Sequence, residues 1–207
     1  MSPDTILTFL VASALLSLAP GPDNLFVLAQ SALYGKRAGI LITLGLCTGL
    51  IFHTLAVALG VAAIFAVSAI AFTTLRLCGA AYLLYLAWQA FKASSSVDKN
   101  INSPKLSGYQ FYKRGIIMNM TNPKVAIFFL AFLPQFANPE SSSITLQLVL
   151  LGILFIVVAL AVFSVIALLS SHLAIYLKKS QKAHIWLNRT AAAIFALLAA
   201  RLLLVSR

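Results

Sequence analysis

The stretch LAPGPDNLFVLA, residues 18–29, places two prolines, a glycine, an aspartate and an asparagine inside an otherwise apolar run. These residue types reliably stop a helix, and proline does so because it lacks a backbone N–H and clashes with the preceding turn. The run can end one half-helix and start another, since Pro22 suits the first helical position and Asp23 suits the first turn. We therefore predict two half-helices that meet at a break carrying a carboxylate.

The composition on both sides of this break is typical of a membrane protein. Of the 207 residues, 61% are hydrophobic and only 9% are charged. Soluble domains carry roughly 25% charged residues, and a soluble fold of this length could not hide so much apolar surface. We expect an all-α, polytopic membrane protein in a lipid bilayer, where every backbone polar group needs a partner.

Apolar runs of about 20 residues predict six membrane-spanning helices. Their approximate positions are 6–34, 39–62, 74–91, 115–136, 144–176 and 185–205. The first span is broken at Pro-Gly-Pro, and the fourth is broken at NMTNPK, residues 119–124. A five-span alternative that discards one weak segment stays open.

The basic residues indicate the orientation in the membrane and explain the net charge of +11 without a nucleic-acid partner. Eleven of the fifteen lie in the loops after the first, third and fifth spans, whereas Asp4 and Glu140 lie on the other side. The basic residues of these loops are Lys36, Arg37, Lys92, Lys99, Lys105, Lys113, Arg114, Lys178, Lys179, Lys182 and Arg189. By the positive-inside rule their side is the cytoplasm, so both termini are expected outside.

The two halves of the chain are predicted to be inverted repeats of three spans, because an odd number of spans turns the second copy upside down. PDNLFVLA from Pro22 resembles PKVAIFFL from Pro123, and both follow a polar break. RLCGAAYLLYLAW from Arg76 resembles RTAAAIFALLAAR from Arg189. The predicted single transmembrane domain, 1–207, contains repeat one at about 1–91, a cytoplasmic linker at about 92–114 and repeat two at about 115–207.

The two breaks together predict a substrate site near the middle of the membrane. A starting half-helix presents N–H groups and the positive end of its dipole to an anion. The half-helix that ends near Leu18 offers free carbonyl groups to an ammonium group, so the pair suits a zwitterion. The residues assigned to substrate binding are Pro20, Gly21, Pro22, Asp23, Asn24, Asn119, Asn122, Pro123 and Lys124.

Asp23 and Lys124 are the charges expected at membrane depth, where each costs roughly 2.5–3.5 kcal/mol on insertion scales. Each would be the counter-charge of the other if they approach across the repeat interface. The alternative is that both lie near the membrane surface and are hydrated. Asp23 and His53 form a candidate proton path, although a lone histidine can equally be hydrogen-bonded within the bundle.

Small and aromatic residues in the second and third spans have simpler interpretations. Gly45 and Gly49 form a G-x-x-x-G pattern, which favours close helix packing. Tyr82, Tyr85 and Trp88 are interpreted as aromatics that pack or lie at the lipid interface.

These motifs together resemble the LysE/RhtB family of amino-acid exporters (LysE-type translocators). The resemblance rests on SLAPGPDNLFVLAQSALYGKRAGILITLGLCTGL (17–50), GAAYLLYLAWQAF (79–91) and NMTNPKVAIFFLAFLPQF (119–136). It implies export of amino acids or close derivatives across the bacterial cytoplasmic (inner) membrane, driven by an ion gradient, with H⁺ as the expected coupling ion. The family's motif positions match here at Pro20, Gly21, Pro22, Asp23, Asn24, Asn122, Pro123 and Lys124. Many members have asparagine directly after Pro-Gly-Pro, whereas this chain has Asp23.

The alternative function is a transmembrane thiol relay that uses Cys47 and Cys78. The two cysteines lie in adjacent spans of one half, which disfavours it. We find no metal-binding cluster, Ser–His–Asp set or phosphate-binding loop in the sequence, so we expect no enzyme activity, metal or cofactor. The expected partners are a small amino acid and the lipid bilayer. The substrate's identity and the oligomeric state, with a homo-oligomer among the alternatives, stay open.

Overall fold

The computed structural model describes residues 1–67, 69–93, 106–138, 143–170, 172 and 181–204. Every regular element in that part of the chain is helical, which confirms the all-α prediction. The helices are α1 Pro3–Leu18, α2 Pro22–Tyr34, α3 Lys36–Val67, α4 Ala69–Lys92, α5 Gly108–Met120, α6 Pro123–Ile127, α7 Ile144–Leu168 and α8 Gln181–Leu204. A π-helical turn, Phe128–Phe132, and a 3₁₀ turn, Leu133–Phe136, continue α6.

Two predicted spans are broken where the sequence places proline. Helices α1 and α2 are bent by 58° to each other, and α5 is bent by 50° to the segment Pro123–Phe136. Pro22 and Pro123 each occupy the first turn of the helix after the break. The helix breaks predicted within residues 6–34 and 115–136 are therefore both present. We call residues 19–21 the first break and residues 121–122 the second break.

Helix length and apolarity support three to five membrane spans. The segments Lys36–Gly60, Ile144–Leu168 and Ile185–Leu204 are each long and apolar enough, and each bent pair can add one more span. Within the described residues, α4 is not among the helices that meet this test. Six spans and the inverted repeat thus stay predictions.

Some predicted boundaries differ from the observed helices. Helix α5 begins at Gly108, inside the predicted linker, because Ser107 and Gln110 form a capping box there. Helix α3 continues to Val67. Several residues of the orientation argument lie outside the described residues: Lys99, Lys105, Glu140, Lys178 and Lys179.

The two halves of the chain pack reciprocally. Helix α5 of the second half packs against α3 of the first, and α1 of the first half packs against α7 of the second. The middle helices α3 and α7 contact each other, as do the last helices α4 and α8. Large apolar side chains such as Leu59, Ile70 and Trp186 are exposed, as expected of helices that face lipid.

Close helix contacts in the interior depend on glycine. A Cβ atom at Gly45 would lie 3.0 Å from the Cα of Gly115, so α3 and α5 approach backbone to backbone. A Cβ atom at Gly49 would lie 2.6 Å from Oδ1 of Asn119. The G-x-x-x-G pattern therefore brings α3 against α5 and against the second break.

Candidate functional site

The two breaks face each other in the interior of the protein. Lys124, just after the second break, donates hydrogen bonds from Nζ to the carbonyl oxygens of Ala19 at 3.1 Å and of Leu16 at 3.5 Å. The last carbonyl groups of a helix have no partner within it, so the end of α1 attracts a cation. We call the carbonyl groups of Leu16 and Ala19 the carbonyl site.

Side chains of the protein itself fill the end of α1. Besides Lys124 at the carbonyl site, Asn24 donates from Nδ2 to the carbonyl oxygen of Ser17 at 2.6 Å. The expectation of free carbonyl groups near Leu18 is therefore wrong in this conformation. The residues that bind these groups come from the next half-helix and from the other half of the chain.

Asp23 lies buried beside the same junction, with 2% of its surface exposed. Its carboxylate interacts electrostatically with Lys124 and His53, and the side-chain amides of Asn119 and Asn122 lie close to it. Lys124 is also buried, at 7% exposure, with its hydrogen bonds directed to the carbonyl site. The structure thus brings the two charges together in the interior and not to hydrated surface positions.

Several buried polar atoms near the two breaks have no hydrogen-bond partner among the described residues. They are Asp23 Oδ1, Asn24 Oδ1, Asn119 Oδ1, Asn122 Nδ2 and Ser17 Oγ. A buried polar atom without a partner costs about 1–3 kcal/mol. Such a cluster has spare capacity for a ligand, a proton or water.

His53 on α3 joins this cluster from the side of the second break. Its Nε2 lies 3.2 Å from the backbone carbonyl oxygen of Asn119, and its ring packs 5.8 Å from that of Phe129, measured between centroids. The two members of the predicted proton path, Asp23 and His53, therefore lie within electrostatic reach of each other.

A cavity of about 410 Å³, which we call the central cavity, borders both breaks. Six assigned site residues line it: Pro20, Gly21, Pro22, Asn122, Pro123 and Lys124. Asp23, Asn24 and Asn119 are buried next to these residues and are not part of its lining. The structure thus brings all the assigned residues to one junction but exposes only some of them to the cavity.

The rest of the central cavity extends along α4 and α8. Its lining there includes Tyr82, Leu86, Gln89, Ala93, Asn188 and Phe195. Asn188 donates from Nδ2 to the carbonyl oxygen of Ala93 at 3.1 Å, which joins the two helices at this end. Lys92 and Arg189 are the neighbours of this contact in the sequence. The cavity therefore runs from the breaks to the C-terminal end of α4 and to Asn188 in α8, next to Lys92 and Arg189.

Sequence reasoning missed the cavity-lining residues of α4. Tyr82 was assigned to packing or to the lipid interface, yet it lines the cavity together with Leu86 and Gln89. Tyr85 and Trp88, which are not part of this lining, are exposed. The spacing of Tyr82, Leu86 and Gln89 places them on one face of a helix, and this was the available signal.

A second cavity, of about 440 Å³, touches the second break and the start of α2, between α2 and α5. It is lined by Pro22, Phe26, Arg114, Ile117, Met118, Thr121, Asn122 and Pro123. We call it the side cavity. Its lining is mostly apolar, and Arg114 is its charged member.

Neither a thiol pair nor a metal cluster is present among the described residues. Cys47 is buried, Cys78 is exposed, and both are free. No group of histidine, cysteine, aspartate or glutamate side chains in that part of the chain could hold a metal ion.

Known proteins with similar sequences are membrane efflux proteins and relatives without a described function. The family model described as LysE type translocator matches residues 14–206. The homoserine/homoserine lactone efflux protein of Salmonella typhimurium is 35% identical over 196 residues, which cover 94% of this chain and 93% of the relative. An uncharacterized membrane protein of Bacillus subtilis is 32% identical over 186 residues, or 86% of this chain and 88% of the relative. No solved structure matches the chain.

Proposed function

The chain belongs to the LysE-type translocator family, and from this premise we propose that it exports a small amino acid or a close derivative across the bacterial cytoplasmic membrane. The transport is secondary and active, and the two halves of the molecule expose the site alternately to the two sides. The observation that carries the proposal is the junction of the two breaks, where a lysine ammonium binds the carbonyl end of a half-helix beside a cavity.

The proposed substrate is a small polar amino acid of the homoserine type, or its lactone. The Salmonella relative that matches over almost its full length is named for efflux of these two compounds. The central cavity, about 410 Å³, falls within the usual range for small-molecule sites, roughly 300–1,000 Å³. A ligand there would lie between the polar breaks and the side chains of Tyr82, Leu86 and Phe195.

The ends of the broken helices give the two halves of a zwitterion different binding sites. The N–H groups at the start of α2 and the ammonium of Lys124 suit a carboxylate. The carbonyl site and Asp23 suit an α-ammonium group. The side chain of the substrate would then point along α4 and α8.

Inverted repeats offer a physical route for alternating access. The similar bends of 58° and 50° at the two breaks, and the reciprocal packing of α5 on α3 and of α1 on α7, support such a repeat. The central cavity runs to Ala93 and Asn188, the neighbours of Lys92 and Arg189 in the sequence. By the positive-inside rule this is the cytoplasmic side, so the conformation described here is the one that loads substrate.

Coupling to H⁺ is proposed to use Asp23, with His53 as its neighbour. A buried carboxylate with an unpartnered oxygen can take up a proton, and proton relays in membrane transporters are built from such residues. If a proton and a substrate molecule occupy the junction in turn, entry of the proton can drive export of the substrate against the substrate's own concentration gradient.

The proposal is tested by efflux from cells that express the protein and are loaded in turn with homoserine and with each common amino acid, with and without a protonophore. We expect one or a few small polar amino acids, homoserine among them, to leave faster than from cells with an empty vector. The protonophore should abolish the difference. Equal efflux of every amino acid from both cell types would contradict the proposal.

A further inference from the structure

Lys124 is bound at the place where the ammonium group of a substrate is expected to bind. We propose that Lys124 occupies the substrate's ammonium site in the unloaded protein and that the incoming α-ammonium group displaces it from the carbonyl site. This inference rests on the proposed export function. It says that the substrate replaces the hydrogen bonds between Lys124 and the carbonyl site.

The chemistry of the two groups makes this competition direct. A lysine ammonium and an α-ammonium group are both compact cations with three hydrogen-bond donors and no acceptor. Nζ of Lys124 lies 3.1 Å from the carbonyl oxygen of Ala19 and 5.9 Å from the ring centroid of Phe195. Both Lys124 and Phe195 line the central cavity, whereas Ala19 and Leu16 do not, so a ligand in the cavity would reach these carbonyl groups by taking the place of the Lys124 ammonium group.

Gly21 leaves room at this place for the ammonium group of Lys124. Its backbone is extended, with φ −165° and ψ 179°, a conformation that any residue adopts. A Cβ atom at this position would, however, lie 2.9 Å from Nζ and 3.5 Å from Cε of Lys124. The lack of a side chain at position 21 is therefore explained by the space that the ammonium group requires.

Displacement of Lys124 would link binding to movement of the halves. The carbonyl site belongs to the first half of the chain, and Lys124 belongs to the second, so their hydrogen bonds tie the halves together. A substrate ammonium that takes over the carbonyl groups breaks this tie. The freed lysine is then placed to meet the carboxylate of the same substrate.

The test measures ligand binding to the full-length protein in lipid nanodiscs, with Lys124→Met as the variant. The decisive probe is L-homoserine lactone, which has an ammonium group and no carboxylate, at about pH 6, below the ordinary pKa of an α-amino group. We expect the Kd of the lactone to fall about tenfold in Lys124→Met. This is the change expected if Lys124 fills the site in about nine of ten molecules of the unaltered protein, since only the remaining tenth can bind the lactone directly. An unchanged or higher Kd for the lactone would overturn the proposal.

Two controls separate displacement from a general charge effect. The probe 2,4-dihydroxybutanoate has a carboxylate and a hydroxyl group in place of the ammonium, and its binding should not tighten in Lys124→Met. Removal of the exposed Lys113 charge in Lys113→Met should leave the Kd of the lactone unchanged. Tightening of both probes, or an equal effect of Lys113→Met, would contradict displacement.

A second pair of variants tests the position of the bound ammonium and the influence of Asp23. Adding Gly21→Ala to Lys124→Met should reverse the gain, because the new methyl group fills the vacated space. Adding Gly60→Ala should not, since no atom of the described residues lies within 4 Å of a Cβ atom there. The lactone should also bind more tightly to the double variant Asp23→Asn/Lys124→Met than to Asp23→Asn alone. Neither of these two proteins has the Asp23 carboxylate, which would lack its counter-charge in Lys124→Met. Loss of either difference would overturn the proposal.

The export assay keeps the two proposals distinguishable. Efflux of L-homoserine by the unaltered protein tests the function. If efflux is present and the lactone does not bind more tightly to Lys124→Met, only the role of Lys124 is wrong.

Discussion

Asp23 combines a carboxylate with nearly complete burial, and its neighbours Lys124 and His53 come from other parts of the chain. The sequence could indicate that Asp23 matters, because a charge inside an apolar run is costly. It could not show what surrounds the carboxylate, since the partners are separated from it by long stretches of chain.

Replacement of Asp23 by asparagine should uncouple transport from the proton gradient. A pH difference of one unit is worth about 1.4 kcal/mol for each coupled proton and supports about a tenfold concentration ratio of substrate. In proteoliposomes we expect Asp23→Asn to lose this uphill accumulation of L-homoserine while exchange of labelled for unlabelled L-homoserine continues. Accumulation equal to that of the unaltered protein would show that Asp23 does not carry the proton.

Leu86 should influence which amino acids are exported, because it lines the central cavity on the side away from the breaks. Leu86→Ala enlarges this part of the cavity. We expect the export ratio of leucine to homoserine to rise about tenfold, the lower end of what one apolar side chain contributes to discrimination. Competition between the two amino acids in the same vesicles measures the ratio, and an unchanged ratio would place the substrate's side chain elsewhere.

At the scale of helices, proline and the polar residues beside it predicted both breaks, and the structure has them at the expected residues. The start of α5 at Gly108 was missed, although the Ser107–Gln110 capping pair was visible in the sequence. The supposedly free carbonyl end of α1 is filled by Lys124. That error arose because local rules for helix ends contain no information about a side chain more than 100 positions away.

Contact between α3 and α5 should depend on Gly115. A Cβ atom there would lie 3.0 Å from the backbone nitrogen of Leu46 and 3.0 Å from the Cα of Gly45, and backbone atoms of a helix cannot move aside. We expect Gly115→Ala to lower the free energy of unfolding by about 1–3 kcal/mol, as overpacking does. Thermal unfolding of the purified protein checks this, with Gly60→Ala as the matched control that should not destabilise. Equal stability of the two variants would contradict the observed helix contact.

At the scale of the whole molecule, composition alone identified a helical membrane protein, and the family match confirms the recognised family. The number of spans was harder to predict, because α4 carries polar residues such as Gln89 and Arg76. Part of this polarity belongs to the central cavity, where Gln89 lies. A helix that lines a cavity inside the bundle thus carries polar residues, which lower its mean hydropathy and make it harder to recognise as a span.

Orientation in the membrane can be tested with single cysteines in a Cys47→Ala/Cys78→Ser background, which should retain export because transport here needs no thiol. Ser2 and Ala93 are exposed residues at ends of the molecule that six spans place on opposite sides of the membrane. In intact cells we expect a membrane-impermeant maleimide to label Ser2→Cys, and to label Ala93→Cys only after permeabilisation. The reverse pattern would overturn the orientation, and loss of export in the background variant would favour the thiol relay.

One measurement asks most directly whether both halves of the chain form a single substrate site. In the same background, Leu86→Cys from the first half and Phe195→Cys from the second each line the central cavity, whereas Ile117→Cys lines only the side cavity. We predict that L-homoserine slows alkylation of both central cysteines with the half-saturating concentration that it shows in export, and leaves Ile117→Cys unaffected. Protection of neither central cysteine, of only one, or equally of Ile117→Cys would contradict a site shared by the two breaks.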